Sequence, residues 1–175
     1  MFLISACFHS KQLENKHTCS YKTFNEETYN VGDKIIMPEI RLGTRPASIM
    51  QSHLNDSLLI VADFLKKHQE LVVEIRSHTD FRCTDSLNLI LAQRRANKYR
   101  DFLLKKSINP NRITAIGIGE AEPFIIDDCT KDLYLNPFEP GDTLSEKFIK
   151  GLKRSKDRET AHKINRRSEI VIIGK

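Results

Sequence analysis

Apolar residues fall along this chain in two rhythms, and from Val31 onward the rhythms alternate. Lys34-Ile35-Ile36-Met37 is a short apolar run closed by Pro38, which predicts a first strand near a sheet edge, since proline cannot donate to a ladder. Arg45-Pro46-Ala47-Ser48 opens a helix, with proline early, where its missing N–H is no loss. Ile49, Leu54, Leu58, Val61 and Leu65 give that helix one apolar face, and Lys66-Lys67-His68 suits the negative end of its dipole. Leu71 to His78 is β-branched and alternating, a second strand. Thr84-Asp85-Ser86 supplies N-caps for a long second helix from Leu87 to about Lys106. After the turn Asn109-Pro110-Asn111, the residues Arg112 to Gly119 predict a third strand. Proline and glycine punctuate an insertion from about Pro123 to Asp157, inside which Asp142-Thr143 can cap a short helix through Leu144, Phe148 and Leu152. Ser168 to Ile173 is the last strand.

Helices alternating with strands in this order imply an α+β domain: a βαβαβ-β mixed sheet, part parallel and part antiparallel, with helices packed on it and an insertion before the last strand. Residues 31–175 form that domain. Residues 1–30 are rich in Lys, Asn, Thr, His and Ser without a sustained apolar period, which predicts a flexible tether.

Composition narrows the chemistry. With 175 residues, 39% hydrophobic and 29% charged, the chain can bury one core, so disorder throughout is excluded. A formal charge of +5 favours an acidic partner or surface without naming one. The absence of Trp and an aromatic share of 7% argue against a stacking platform, and the basic clusters at Lys153-Arg154-Ser155-Lys156 and Arg166-Arg167 are short, so no nucleic-acid partner is expected. Gly117-x-Gly119 is followed by Glu120 and Pro123 instead of a third glycine opening a helix, so it is no phosphate cradle. Cys7, His9, His17 and Cys19 match no zinc-finger spacing; neither metal nor cofactor is expected.

One residue is out of place. On a helical wheel, Leu91, Ala92, Ala96, Tyr99, Phe102 and Leu103 define the apolar face of the second helix, and Arg95 falls within it, as does Asn88 two turns earlier. A guanidinium aimed at the sheet needs a partner, because an unpaired buried charge costs several kcal/mol. Asp80, just past the second strand, is the nearest candidate, at the end of a sheet where ligands commonly sit. Two readings stay open: a structural Asp80–Arg95 ion pair, or opposite charges offered to a zwitterionic ligand, with ammonium at Asp80 and carboxylate on the Arg95 fork.

The string Ser77-His78-Thr79-Asp80, then Asn88-x-x-Leu91-Ala92-x-x-Arg95-Ala96, Gly117-x-Gly119-Glu120-x-x-Pro123 and Asn165-Arg166-Arg167-Ser168-Glu169-Ile170 resembles the OmpA-like peptidoglycan-binding domain, with its blocks in the family's order from about Ile35 to Ile173. The family includes outer-membrane porin tails, peptidoglycan-associated lipoproteins and flagellar stator subunits. The resemblance implies non-catalytic binding of the cell wall, with Asp80 and Arg95 holding the diaminopimelate of the stem peptide. It places Thr79, Asn88, Leu91 and Asn97 beside the ligand and Arg166 near the same pocket. Departures are Ala92 where serine is commonest, and Ile40-Arg41-Leu42-Gly43 in place of a Phe-Asp-Phe-Asp stretch.

Ile4-Ser5-Ala6-Cys7 resembles a bacterial lipobox, although Met1-Phe2-Leu3 supplies neither a basic n-region nor a full apolar h-region. Lipidation of Cys7 would anchor the protein on the periplasmic face of the outer membrane, with up to roughly 80 Å of extended chain between Cys7 and Val31. Cys83, beside the Asp80 loop, and Cys129, after the third strand, are either a disulfide of the oxidising periplasm or two isolated thiols. The expected role is a lipoprotein linking outer membrane to wall. The alternative is a wall-binding module of a larger envelope complex, of secretion, gliding or stator type, with the insertion docking a protein partner. A wall-degrading enzyme would need His78 or Glu120 as its proton carrier, and no positioned nucleophile accompanies either.

Overall fold

The structure, a computed structural model, describes residues 19–38, 51–134 and 137–175. Strands β1 (Lys34–Ile36), β2 (Val72–His78), β3 (Ile113–Gly119) and β4 (Ser168–Gly174) form one sheet in the order β1-β4-β2-β3. β2 and β3 run parallel, while β4 is antiparallel to both β2 and β1. The mixed α+β sheet therefore takes the expected form. Helices α1 (Gln51–Lys67) and α2 (Asp85–Lys105) connect the first three strands. The start of the first helix at Arg45 to Ser48, and Ile40 to Gly43, lie outside the described residues.

Alternation along each strand divides the core. Ile35, Val73, Ile75, Ile113, Ile170 and Ile172 pack with Leu58, Val61 and Leu65 of α1 and Tyr99 and Leu103 of α2. Ile36, the neighbour of Ile35, instead borders a second cluster of Phe124, Ile126, Phe138, Leu144 and Ile149, because successive strand residues face opposite sides. α2 lies unusually close to β3: a Cβ on Gly117 would stand 2.3 Å from the Gln93 backbone nitrogen. The Gln93 amide donates to Ala115 O at 3.1 Å and accepts from Gly117 N at 2.9 Å, and Arg100 Nε donates to Ile113 O at 3.3 Å. Helix side chains thus satisfy the outer edge of β3, which would otherwise invite another strand. This clamp also fixes α2 in register with the strand ends.

Residues 19–30 correct the tether expected over 1–30. Tyr29 is buried and meets Phe64 edge-on at 5.0 Å, Tyr21 stacks on Phe124 at 5.5 Å, and Lys22 bridges to Ile35. Cys19 forms a disulfide with Cys129, with Cα atoms 5.5 Å apart. The Cys83–Cys129 pairing is thereby replaced, and Cys83 is a free, exposed thiol. Tyr21, Phe24 and Tyr29, anchoring one by one on Phe124 and Phe64, leave no period to read. With Cys19 tied down, the chain from Cys7 to the domain can span at most about 40 Å.

The insertion holds more structure than a single short helix. α3 (Asp128–Tyr134) and α4 (Glu146–Gly151) lie within it, and α5 (Ser155–Asn165) begins at its end. Ser145, not Asp142, caps α4, accepting from Phe148 N at 3.3 Å; Asp142 accepts from Glu139 N at 2.9 Å in a turn where Gly141 has φ +97°. α5 has a thin buried stripe of Ala161, His162, Ile164 and Asn165, two of them polar, which hides it from an apolar wheel. No helix among the described residues is long and apolar enough to cross a membrane.

Candidate functional site

The site gathers where β2 ends, α2 begins and α5 closes from the side. Asn88, buried on α2, donates from Nδ2 to Asp80 O at 2.9 Å and Cys83 O at 3.3 Å, and also bonds the Glu120 carboxylate after β3. Thr84 Oγ1 accepts from Leu87 N at 3.4 Å as the α2 N-cap. One amide and one hydroxyl therefore tie the loop 80–84 to the first turns of the helix. Thr79 donates its backbone N–H to Gly119 O at 2.8 Å, while its buried Oγ1 has no hydrogen-bond partner.

Asp80 is 7% exposed and crowded with cations. Its Oδ1 accepts from the Arg82 backbone N–H at 3.1 Å. Its Oδ2 accepts from Arg82 Nε at 3.1 Å, Arg82 Nη2 at 2.7 Å and Arg166 Nη1 at 2.6 Å. Both guanidinia also reach Glu159, at 3.0 Å from Arg82 and 3.1 Å from Arg166. Burial alone would raise the Asp80 pKa, but the bonds from Arg82 and Arg166 hold it down at about 2. His162 stands with Nδ1 4.0 Å from Oδ2 and its ring 4.9 Å from Phe81; desolvation lowers its pKa, which favours the neutral ring.

Arg95 is half-buried one turn beyond Leu91, and its Nε is shielded from water without a hydrogen-bond partner. Desolvation weakens its hold on the proton; Tyr99 and Asp80 counter this, and Arg166 adds to it. The direct Asp80–Arg95 ion pair is thus corrected. Asp80 takes Arg82 from its own loop and Arg166 from the C-cap of α5, and Arg95 feels it only through space. Leu91 is exposed at the same side of α2, so it flanks the guanidinium and does not belong to the core face. Asn97 lies about 200° around the helix from Arg95 and accepts from Gln93 Nε2 at 2.9 Å. Thr79, Asp80, Asn88, Arg95 and Arg166 come to one rim; Asn97 does not. Arg82, Glu159 and His162 join it without having been singled out. Arg82 carried a signal, two residues beyond Asp80, whereas the other two depended on α5.

Behind the rim is a sealed cluster. Glu169 on β4 has no exposed surface; Tyr21 donates to Oε2 at 2.8 Å, His78 Nε2 is 3.2 Å from Oε1, and Arg167 Nε is 3.5 Å from Oε2. His78 therefore bonds to the neighbouring strand β4. Burial would raise the Glu169 pKa, but His78, Arg167 and Tyr21 hold it at about 2, while desolvation lowers that of His78. His78, Glu169 and the exposed Glu122 could each point one atom at a cation within 4.8 Å of one another. The Arg167 guanidinium, stacked 5.0 Å over Phe124, already supplies the positive charge there.

Residues 47–133 match the OmpA family. Over 71 residues the chain is 39% identical to outer membrane porin F of Pseudomonas fluorescens, covering 41% of this chain and 22% of the porin. Over 102 residues it is 32% identical to the peptidoglycan-associated lipoprotein of Brucella melitensis, covering 58% of this chain and 57% of the lipoprotein. The match therefore spans between a fifth and three fifths of these relatives. The crystal structure of a MotB-like protein from Desulfovibrio vulgaris shares the fold, with a TM-score of 0.52 and 21% identity over 81% of this chain and 73% of that one. The segment matched to the OmpA family contains the β2 end, Asp80, Asn88 and Arg95.

Proposed function

We propose that this chain is a non-catalytic peptidoglycan-binding module of the bacterial envelope, whose rim takes the diaminopimelate of the stem peptide. The observation that carries the reading is Arg95: a half-buried guanidinium whose Nε is shielded from water without a partner, near a carboxylate that stays ionised. A ligand carboxylate satisfies Arg95, and a ligand ammonium meets the ionised Asp80. Thr79 Oγ1, buried and unbonded, offers a further polar contact, while Leu91 borders the guanidinium with apolar surface. Arg166 and Asn88 keep Asp80 and its loop in place.

His78 has no exposed side chain and is engaged by Glu169, which keeps it from acting as a general base on a substrate. Similarity to a peptidoglycan-associated lipoprotein and to porin F supports a location at the outer membrane, facing the periplasm. A lipid on Cys7, outside the described residues, completes this reading as the membrane link. The cysteine to serine change Cys7→Ser should then release the protein from the membrane fraction and abolish labelling by a fatty-acid analogue. The insertion keeps Phe138, Leu144 and Ile149 in its own core, and a wall-binding module of a larger envelope complex would use the same rim.

Co-sedimentation of the full chain with diaminopimelate-containing sacculi tests the site. Wild type should pellet with the wall, and Asp80→Ala and Arg95→Ala, both folded by circular dichroism, should stay in solution. Retention of both variants on sacculi would overturn the site assignment.

A further inference from the structure

We infer that Arg82 is an internal competitor for the ligand's ammonium, so that the wall ligand binds by displacing this side chain from Asp80. The inference rests on the proposed function and adds how that site is controlled. Three N–H groups converge on Oδ2 of Asp80, two of them from Arg82, and the Arg82 backbone N–H takes Oδ1. A carboxylate offers about four lone-pair directions; Oδ2 is saturated and Oδ1 keeps a single one, so an ammonium seats on Oδ2 only by displacing a guanidinium. One of the two guanidinia must therefore give way.

The geometry selects Arg82. Its side chain is 47% exposed against 30% for Arg166, and it hangs from a loop, whereas Arg166 caps α5. Arg82 Nη1 also already holds Glu159 at 3.0 Å, and Glu159 is itself 58% exposed. Releasing Nε and Nη2 leaves the guanidinium held by this second carboxylate, so the displaced charge keeps a partner at the rim. Arg166 remains on Asp80 and preserves the carboxylate's orientation and charge. The Arg82 backbone bond to Oδ1 also survives, because it does not depend on the side chain. In the ligand-free protein Arg82 thus neutralises Asp80, and only a ligand offering its own cation, together with an anion for Arg95, recovers what the displacement costs.

A competitor that closes the site lowers the apparent affinity by the fraction of molecules left open. For a pair this exposed, the effect amounts to about three- to tenfold in affinity. The test titrates meso-diaminopimelate and the tripeptide L-alanyl-γ-D-glutamyl-meso-diaminopimelate into wild type, Arg82→Ala and Arg82→Gln by calorimetry. Pimelate, which keeps both carboxylates and lacks the amines, runs beside them. Both variants should bind the two amine-bearing probes about three- to tenfold more tightly than wild type and pimelate no more tightly. In wild type, the Arg82 Nε–H resonance should lose its protection from exchange as the tripeptide is added.

Equal or weaker binding by both variants, with wild-type binding still dependent on Asp80, would overturn the competitor role and leave the site reading intact. An equal gain for pimelate would also overturn it, because the effect would then be one of general charge. Absence of tripeptide and sacculus binding by wild type and both variants would remove the site reading and the inference together.

Discussion

Two carboxylates in this domain are built from the same parts and end in different roles. Asp80 is held by two arginines with a histidine nearby, and Glu169 by one arginine, a histidine and a tyrosine. Both are held ionised at about 2. Arg166 and Arg167, adjacent in sequence, divide between them: the first turns to Asp80 and the second to Glu169. The difference lies in what stands outside. Tyr21, tied down by the Cys19–Cys129 disulfide, covers Glu169, whereas the Asp80 side opens to half-exposed Arg82, Arg95 and Arg166. A paired buried carboxylate holds the fold together; the same carboxylate at a rim, with one guanidinium left unsatisfied, is ready for a ligand.

The contrast predicts unequal costs. Glu169→Gln should destabilise most, by about 3–5 kcal/mol in urea unfolding, because it leaves the Arg167 guanidinium buried without its counter-ion. The double change Cys19→Ser with Cys129→Ser should follow, at about 2–4 kcal/mol, since the bridge closes a sequence separation of 110 residues and fastens the lid over Glu169. Asp80→Asn should cost about 1–2 kcal/mol, because Arg82 and Arg166 keep Glu159 and can reach water. Arg95→Gln should shift stability by less than about 1 kcal/mol, as no hydrogen bond is lost at Nε. A rim variant more damaging to folding than Glu169→Gln would erase the distinction between the two regions.

Acid titration sharpens it further. The pKa of His78 is lowered from its ordinary 6.5, so below that pH the unfolded chain takes up a proton that the folded protein refuses, and stability falls. Asp80 and Glu169 are depressed from 3.8 and 4.5 to about 2, so each contributes stability that is complete above its ordinary value and lost as pH falls toward 2. Stability should therefore begin to fall below about pH 6.5 through His78 and fall again between about pH 4.5 and 2 through the two carboxylates. The decline between about 4.5 and 2 should be shallower in Glu169→Gln and in Asp80→Asn, each by the share of one carboxylate. Unchanged slopes in both variants would contradict the assignment of these two groups.

The sheet, its two connecting helices and the position of Arg95 on α2 were legible because each rests on local periodicity. A guanidinium in an apolar stripe is visible on a wheel before any partner is known. Its partner was not, since the choice among Arg95, Arg82 and Arg166 for Asp80 depends on where α5 lands, and α5 buries two polar residues among only four. Tyr21 and Tyr29 anchor singly over a polar segment, so the N-terminal stretch resembled a tether. Cysteine pairing followed the path of that same stretch and was illegible for the same reason.

Arg95 as the seat of a ligand carboxylate is tested most directly by a calorimetric titration of the diaminopimelate tripeptide into wild type and Arg95→Gln. Wild type should bind saturably one-to-one and the variant at least about tenfold more weakly, the worth of one charge-assisted bidentate contact, with stability changed by less than about 1 kcal/mol. Equal affinity of the two proteins, both folded, would contradict it.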